Sequence, residues 1–445
     1  MRDNFFKLKE NGTDFKTEII AGVTTFLAMA YILGVNPVVL ADGGMPATGV
    51  FFSTAIASGI ACIIMGLVAK FPVGLAPGMG INALFTYTII VTMGNTWETA
   101  LAAVFISSII FLIITVSGLR EAILNIIPLD LKLGIGAAIG FYLAFLGLKG
   151  AGIIVANPSS FVTMGSLMAP HALLALIGII ITLVLYIRQV PASVFVGLII
   201  TAIIGVIFAA LGFGAGDLLM PSVPDNAIST NFDLSLLFGF TRGFGQLFSN
   251  IPNMIMIIFS MVFVTFFDAT GTLMALGRQC GFIDEQGHAV GIENAFLADA
   301  LGGIVGAVLG TSTVTSFVES ATGIGNGGKT GLTAIVTGIL FILSIFFAPL
   351  VLALFTSPVT AAALVIVGIM MIAQLKDVQW DNPVVAASVF VTIIMMILTY
   401  SISLGIAWGF LVYAIATLAS GKLKELSWGI WVLVIVFVIY LFFGL

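Results

Sequence analysis

The chain has 445 residues, of which 60% are hydrophobic and only 8% are charged, and its mean hydropathy is +1.24. Soluble chains carry charge on about a quarter of their residues, so this composition excludes a soluble domain and indicates a polytopic membrane protein. The net charge of -5 comes with no basic tract and no acidic tail, so nucleic acid is not an expected partner.

Fifteen apolar runs follow one another along the chain. Most of them are close in length to the about 17–25 residues that a helix needs to cross a bilayer. The run 316–326 is too short to cross alone, and the last run stands apart from the others. The polar segment 213–250 is predicted to be an external connector whose FGFTRGFGQLF part lies along the membrane interface. The runs are 18–40, 48–69, 75–93, 99–117, 129–147, 169–188, 192–212, 251–276, 292–309, 316–326, 331–353, 358–374, 383–400, 404–418 and 426–443.

The positive residues orient the chain. If the N-terminus is cytoplasmic and every run crosses, all 15 Lys and Arg residues except Lys149 and Arg242 fall on the cytoplasmic side. Cytoplasmic loops are enriched in Lys and Arg, so we expect a multi-pass protein of the cell membrane with a cytoplasmic N-terminus. This orientation requires the run 316–326 and the residues before it to count as one crossing.

Two runs contain helix-breaking residues in a similar order. FPVGLAPGMGINALF (71–85) and GTSTVTSFVESATGIGNGG (310–328) each have a short extended stretch, a break, and then a short helix with a polar residue near its start, Asn82 or Glu319. They lie in the third and tenth runs, an odd number apart, so the two copies would be inverted across the membrane. Paired broken segments point to a transporter binding site, because unwound backbone at membrane depth must be buried or line a wet cavity.

Acidic residues inside apolar runs are costly and therefore suggest function. Asp268 lies ten residues before Arg278, about 15 Å along a helix, which places it near mid-membrane. A role in transport is favoured there over simple pairing with Thr270 or Thr272. Asp299 is interpreted either as an acid that supports the site or as a cytoplasmic-side anchor.

Glu319 and Asn82 each have two interpretations. Ser316 to Glu319 reads S-x-x-E, the capping-box pattern in which Ser316 begins a helix and Glu319 reaches back to its backbone. A membrane-buried cap needs only the serine, so Glu319 is also interpreted as a ligand acceptor, and both roles are compatible. Asn82 is either a packing amide or an amide that reads a ligand.

Several motifs together resemble one transporter family. They are TEIIAGVTTFLAMAYILGVNPVVL, APGMGINALF, FVTFFDATGTL, LADALGGIVGAVLGTSTVTSFVESATGI and GGKTGLTA. The chain resembles, over nearly its whole length, the azaguanine/hypoxanthine-type purine permeases of the nucleobase–ascorbate transporter superfamily, and the bacterial guanine/hypoxanthine permeases in particular.

This resemblance implies an all-α polytopic fold of about 14 transmembrane segments in a seven-plus-seven inverted repeat, with short β-strands in segments 3 and 10. It also implies a core domain that holds substrate and a gate domain that commonly forms a homodimer. The implied divisions are a tail 1–17, core 18–118 and 251–353, gate 119–212 and 354–420, connector 213–250, and an extra C-terminal helix 421–445.

The resemblance also implies the site. Asp268 and Glu319 match the two acidic positions of the family, and Asn82 matches the segment-3 asparagine of the purine branch. Backbone N–H groups at Gly80, Ser316 and Val318 would hold the ring edges. The predicted stacking residues are Phe85, Phe267 and Phe317.

The implied function is import of a purine base by H⁺ symport, with hypoxanthine and guanine as the first candidates and adenine as a further one. Asp268 is the favoured proton-coupling group, with Asp299 as a second candidate. Thr272 stands where uracil permeases have a histidine, so a histidine-based proton step is not carried over. No metal or organic cofactor is expected, since Cys62, Cys280, His171 and His288 form no cluster, and Na⁺ coupling stays open.

Three other functions are less favoured. An anion transporter of the sulfate/bicarbonate type would share the architecture, but Glu319 would repel an anion. Discrete polar residues in broken helices suit an occluding transporter better than a channel. A membrane enzyme is disfavoured because no nucleophile–base pair is visible.

Overall fold

The computed structural model describes residues 5–119, 127–214, 216–217, 219–281, 292–422 and 426–443. Parts of the predicted N-terminal tail and C-terminal segment, and the positive residues Arg2, Arg120 and Lys424, lie outside the described residues. Within these ranges, 11 helical stretches are long and apolar enough to cross a membrane, and three shorter apolar helices accompany them. The prediction of a mainly helical, multi-pass membrane protein is confirmed.

The first half of the described chain contains eight helices and three strands. They are α1 Phe15–Met29, α2 Ile32–Ala41, α3 Ala47–Ile64, β1 Leu75–Pro77, α4 Met79–Ala83, α5 Trp97–Val116, α6 Leu129–Gly150, β2 Ile154–Asn157, β3 Phe161–Met164, α7 Pro170–Ile187 and α8 Ser193–Ala210. π-helical turns extend α3 over Met65–Ala69 and α4 over Leu84–Thr92.

The second half has ten helices and one strand within the described residues. They are α9 Phe240–Ser249, α10 Ile251–Gln279, α11 Ile292–Leu309, β4 Val314–Ser316, α12 Ser320–Gly325, α13 Gly331–Leu343, α14 Ala348–Leu354, α15 Ser357–Ile372, α16 Pro383–Leu398, α17 Ile402–Ala419 and α18 Trp428–Phe443. The predicted run 331–353 is therefore two helices joined by a 3-10 turn at Ser344–Phe347.

The helices pack in two groups. In one group, α1 and α3 pack on α13, α3 and α5 pack on α11, and α5 packs on α10; in the other, α6 and α7 pack on α15, and α16 packs on α6 and α17. Glycines allow close backbone approach in both, as membrane helices require. A Cβ on Gly338 would lie 2.6 Å from the Gly59 carbonyl, and one on Gly368 would lie 2.5 Å from the Gly140 carbonyl.

The structure contains a β-hairpin that was not predicted from the sequence. Strands β2 and β3 pair antiparallel between α6 and α7, with Asn157 opposite Phe161. The Asn157 side chain accepts hydrogen bonds from the backbone N–H groups of Ser159 at 2.8 Å and Ser160 at 3.0 Å, an Asx turn that reverses the chain. The apolar residues of this hairpin had been assigned to no element.

The predicted connector contains helix α9, which corresponds to FTRGFGQLFS. It packs on α5, and the Arg242 guanidinium lies 5.1 Å from the ring of Trp97. Nearer α8, the Asp217 carboxylate lies 2.7 Å from His171 Nδ1. Burial opposes ionisation of Asp217, but the hydrogen bonds from His171 and the Leu219 N–H outweigh it and hold the pKa of Asp217 below its usual value.

A buried carboxylate joins α1 to the start of α13. Glu18 is fully buried. Its Oε1 accepts hydrogen bonds from the backbone N–H groups of Lys329 at 2.9 Å and Thr330 at 3.2 Å. Its Oε2 accepts from the Thr333 N–H at 3.1 Å and the Thr333 hydroxyl at 2.7 Å. The charge therefore satisfies the free N–H groups at the beginning of a helix.

Replacing this carboxylate is expected to destabilise the fold. Glu18→Ala leaves these buried donors without an acceptor, which costs about 3 kcal/mol or more. The thermal midpoint of the purified protein in detergent should fall by several degrees. Glu10→Ala is the control, because Glu10 forms only an exposed pair with Lys7. Equal midpoints for the two variants would contradict the role assigned to Glu18.

Candidate functional site

The two broken segments meet as a two-stranded antiparallel sheet. Leu75 pairs with Ser316, Ala76 with Thr315, and Pro77 with Val314. The ladder continues on both sides, because the Gly78 N–H donates to the Thr313 carbonyl at 3.1 Å and the Phe317 N–H donates to the Gly74 carbonyl at 3.0 Å. Each unwound segment thus supplies the hydrogen-bond partners that the other lacks, and the strands predicted in segments 3 and 10 are present.

Gly78 brings a third element to the sheet. A Cβ on Gly78 would lie 2.8 Å from Thr315 Cγ2 and 3.4 Å from Asp268 Oδ2. A side chain at this position would therefore clash with β4 and crowd the carboxylate that α10 presents. The absence of a side chain places Asp268 directly beside the end of β1.

Asp299 fixes the other strand. Its Oδ1 accepts hydrogen bonds from the Ser316 N–H and from the Ser316 hydroxyl, both at 2.6 Å. The Thr315 hydroxyl also donates to it, at 3.1 Å. Ser316 therefore lies in β4 with its donors occupied, so the prediction that its backbone N–H holds a ligand is wrong for this conformation.

The capping-box prediction for Ser316 and Glu319 is also wrong. Helix α12 begins at Ser320, and the Glu319 side chain makes no capping hydrogen bond. The physical reason is that Asp299 holds Ser316 in the extended strand. Glu319 instead accepts a hydrogen bond at 2.7 Å from the Tyr31 hydroxyl, and its side chain stays half-buried.

Asp268 differs from both other acids. It is half-buried in α10, and no hydrogen bond joins its carboxylate to another residue in the described part of the chain. The alternative in which Thr270 pairs with Asp268 does not occur, because the Thr270 hydroxyl is buried without a described partner. Asp268 is therefore a carboxyl group beside the strand pair with free hydrogen-bonding capacity.

Three of the predicted ligand contacts are buried. Asn82 and Phe85 are each 0% exposed, and Phe317 is 5% exposed. Asn82 Oδ1 accepts a hydrogen bond from the Ser312 hydroxyl, and its Nδ2 lies 3.8 Å from the Met79 sulfur. The amide thus joins segment 3 to the residues before β4, which is a packing role in this conformation.

The remaining predicted contacts are accessible. Val318 is 44% exposed beside Glu319, and Gly80 is partly exposed in the first turn of α4. A Cβ on Gly80 would lie 2.9 Å from Ile139 Cγ2 of α6, so the two helix groups touch here. Phe267 lines a different, wholly apolar cavity between α10 and α18, which is also lined by Phe263, Phe266, Trp428 and Val432.

The two helix groups also meet where the first span ends. The Tyr87 hydroxyl donates to Asp42 Oδ2 at 2.7 Å, and the Lys149 ammonium donates to the Tyr400 hydroxyl at 2.9 Å. The rings of Tyr87 and Tyr400 lie 5.4 Å apart at 71°. Tyr400 has a left-handed backbone, with φ of 55°, and its carbonyl accepts from the Tyr142 hydroxyl at 3.0 Å.

Sequence reasoning missed Tyr31, Ser312 and this tyrosine cluster. Tyr31 lies in AMAYIL, which contains neither glycine nor proline to indicate the break between α1 and α2. Ser312 lies among several other hydroxyl residues before β4, and no local pattern distinguishes it from them. Asp42, at the end of the first run, is the one signal that could have pointed to the cluster.

Among the described residues, no group of three or more His, Cys, Asp or Glu side chains is placed to hold a metal ion. The chemistry available beside the strand pair is that of two partly accessible carboxyl groups, Glu319 and Asp268. Ionised carboxylates only accept hydrogen bonds, so they suit a ligand that presents N–H groups.

Comparison with known protein families identifies the class. Residues 16–408 match the family model described as Permease family. The chain belongs to this family. It is therefore a membrane transporter and not an enzyme, and the family resemblance seen in the sequence is confirmed.

Individual relatives are similar over the full length. The guanine/hypoxanthine permease PbuG of Bacillus subtilis (strain 168) is 44% identical over 457 residues, covering 99% of this chain and 99% of the relative. The guanine/hypoxanthine permease PbuO of the same organism is 40% identical, over 98% of this chain and 99% of the relative. The adenine permease AdeP of Escherichia coli (strain K12) is 35% identical, over 100% and 96%.

Solved structures confirm the fold class. The transmembrane domain of the cyanobacterial bicarbonate transporter BicA superposes with a TM-score of 0.64 at 18% identity, covering 87% of this chain and 96% of that chain. SLC26A9 superposes with a TM-score of 0.61 at 12% identity, covering 90% of this chain and 65% of that chain. At these identities the similarity concerns the fold alone.

The close approach of Gly78 to Thr315 can be tested by adding a side chain at Gly78. Gly78→Ala should lower the thermal midpoint in detergent by several degrees, because the new methyl group forces β1 away from Thr315. Gly271→Ala is the matched control: it lies one turn after Asp268 in α10, and a Cβ there meets nothing within 4 Å. A Gly78→Ala midpoint no lower than that of Gly271→Ala would contradict the packing described here.

Proposed function

We propose that the chain is a purine nucleobase permease that imports hypoxanthine and guanine across the cell membrane by H⁺ symport. The observation that supports this most directly is the placement of Glu319 and Asp268 beside the paired strands of two broken segments. Family membership and the names of the full-length relatives support the substrate class. The adenine permeases among the relatives keep adenine as a further candidate.

The donor and acceptor pattern of a 6-oxopurine fits these carboxylates. A 6-oxopurine has a ring N–H next to its O6 acceptor, and guanine adds an amino group on the far side of that N–H, whereas a carboxylate offers acceptor sites only. Glu319 would bind one ring N–H with the oxygen that Tyr31 does not occupy, and Asp268 would face a second. Val318 and the first turn of α4 at Gly80 would contact the ring edge.

Asp268 is the favoured proton-coupling group. Glu319 receives a hydrogen bond from Tyr31, and Asp299 receives several from β4, so both charges are stabilised by donors. Asp268 lacks such donors among the described residues, and an unpaired charge inside the membrane is costly. Protonation removes that cost and allows the site to move past apolar surfaces. A proton role for Asp299 stays a prediction.

The transport cycle would move one helix group against the other. We assign the core to α1–α5 and α10–α14 and the gate to α6–α8 and α15–α17, in a seven-plus-seven inverted arrangement with the N-terminus cytoplasmic. The contacts of Tyr87 with Tyr400 and of Lys149 with Tyr400 close the face where the first span ends.

An anion transporter is the second candidate, because the fold is shared with a bicarbonate transporter. Two carboxylates at the site argue against it, since they would repel an anion. From the family resemblance we also propose a homodimer that forms through the gate helices. We further propose that the exposed apolar faces of α7 and α8 contact lipid.

The acids are tested by uptake of labelled hypoxanthine in cells that lack purine transport, with guanine, adenine, xanthine and uracil as competitors at two pH values. Glu319→Gln should reduce uptake about ten-fold or more, because an amide donor faces the ring N–H. Asp268→Asn should remove the dependence of uptake on pH. Normal, pH-dependent uptake by both variants would refute this site.

The closed face is tested by cysteine labelling. In the Val318→Cys variant, a membrane-impermeant thiol reagent added outside should react slowly. Adding Lys149→Ala should raise that rate several-fold, because Tyr400 loses its hydrogen-bond and cation–π partner. Arg242→Ala, which removes a positive charge elsewhere in the external region, is the control. Equal labelling with Lys149→Ala and with Arg242→Ala would argue against this closure.

A further inference from the structure

Tyr31 lies at a break in the first span. Helix α1 ends at Met29 and α2 begins at Ile32, with Tyr31 between them. Its side chain is 1% exposed, so it is inaccessible to a ligand in this conformation. Its hydroxyl nevertheless reaches the partly accessible Glu319, at 2.7 Å from Oε1.

The packing around this contact fixes both partners. The Tyr31 ring lies 6.4 Å from the ring of Phe317, tilted by 43°. In this position its hydroxyl reaches Glu319, two residues after Phe317. Helix α12 packs on α1, and Gly323 of α12 is so close to Thr25 that no side chain fits between them. The backbone that bears Glu319 is therefore held against the helix that leads to Tyr31.

The hydrogen bond between Tyr31 and Glu319 runs in one direction only. An ionised carboxylate only accepts hydrogen bonds, so Tyr31 must be the donor. No other side chain in the described residues donates to Glu319. The hydrogen bond from Tyr31 thus orients Oε1 of the carboxylate and stabilises its charged form, and it leaves Oε2 without a side-chain donor among the described residues.

We propose that Tyr31 is a positioning residue for substrate recognition: its hydroxyl holds Glu319 as an oriented acceptor for a ring N–H of the purine. The inference rests on the proposed function. Tyr31 acts through Glu319 and does not touch the substrate. The Tyr31 hydroxyl also makes the surroundings of Glu319 different from those of Asp268, because Asp268 has no hydrogen-bond donor among the described residues.

The test is the Tyr31→Phe variant, which keeps the ring that packs near Phe317 and removes only the hydroxyl. A hydrogen bond to a charged group corresponds to about a ten-fold or larger change in affinity. We therefore expect KM for hypoxanthine uptake to rise about ten-fold while Vmax per transporter at the cell surface changes less than two-fold. Tyr186→Phe, which removes a hydroxyl from α7, should leave both constants unchanged.

A second measurement needs no transport. Thermal midpoints of the wild type, Tyr31→Phe, Glu319→Ala and the double variant form a cycle. The loss caused by Tyr31→Phe should largely disappear when Glu319 is already absent.

The outcomes separate the two claims. Strict additivity in this cycle, or wild-type uptake with an unchanged KM in Tyr31→Phe, would overturn the positioning role alone. Absence of purine uptake by the wild type would overturn the proposed function and this inference with it.

Discussion

The structure depends on the pairing of two short strands inside the membrane. Strands β1 and β4 come from segments far apart in the chain, and each interrupts an apolar run that would otherwise be helical. Unwound backbone in lipid is tolerated only when its polar groups are satisfied within the protein. Each strand satisfies the other, so neither break is stable alone. The candidate site lies where the two segments meet.

The strand pair gives three acids three different surroundings. Asp299 has its Oδ1 saturated by β4 and acts as part of the scaffold. Glu319 has Oε1 bound by the Tyr31 hydroxyl, and no other side chain in the described residues donates to it. Asp268 approaches through the gap left by Gly78 and has no donor among the described residues. Their hydrogen bonds thus distinguish the three acids, and the proposed recognition role of Glu319 and proton-coupling role of Asp268 rest on that difference.

Much of this arrangement is predictable from the sequence. The apolar runs, the two broken segments and the acids Asp268, Asp299 and Glu319 are local features of the sequence and could be identified from it, whereas the count of about 14 transmembrane segments stays a prediction. The buried acid Glu18 was not singled out, because its partners at the start of α13 lie far away in the chain. The local S-x-x-E pattern failed at Ser316 because a distant residue, Asp299, competes for the same serine. Tyr31, Ser312 and the Tyr87–Tyr400 contact were missed because their partners lie far away in the chain. Local patterns locate the breaks, but the fold decides which side chains face them.

The central claim is that the paired strands present Glu319 and Asp268 to one purine. It is tested most directly by an experimental structure of the chain with hypoxanthine bound. The account predicts a ring nitrogen within hydrogen-bond distance of a Glu319 carboxylate oxygen, with the base beside the ends of β1 and β4 and Tyr31 still bound to the other oxygen. A base bound away from both carboxylates, for example in the apolar cavity lined by Phe267, would contradict it.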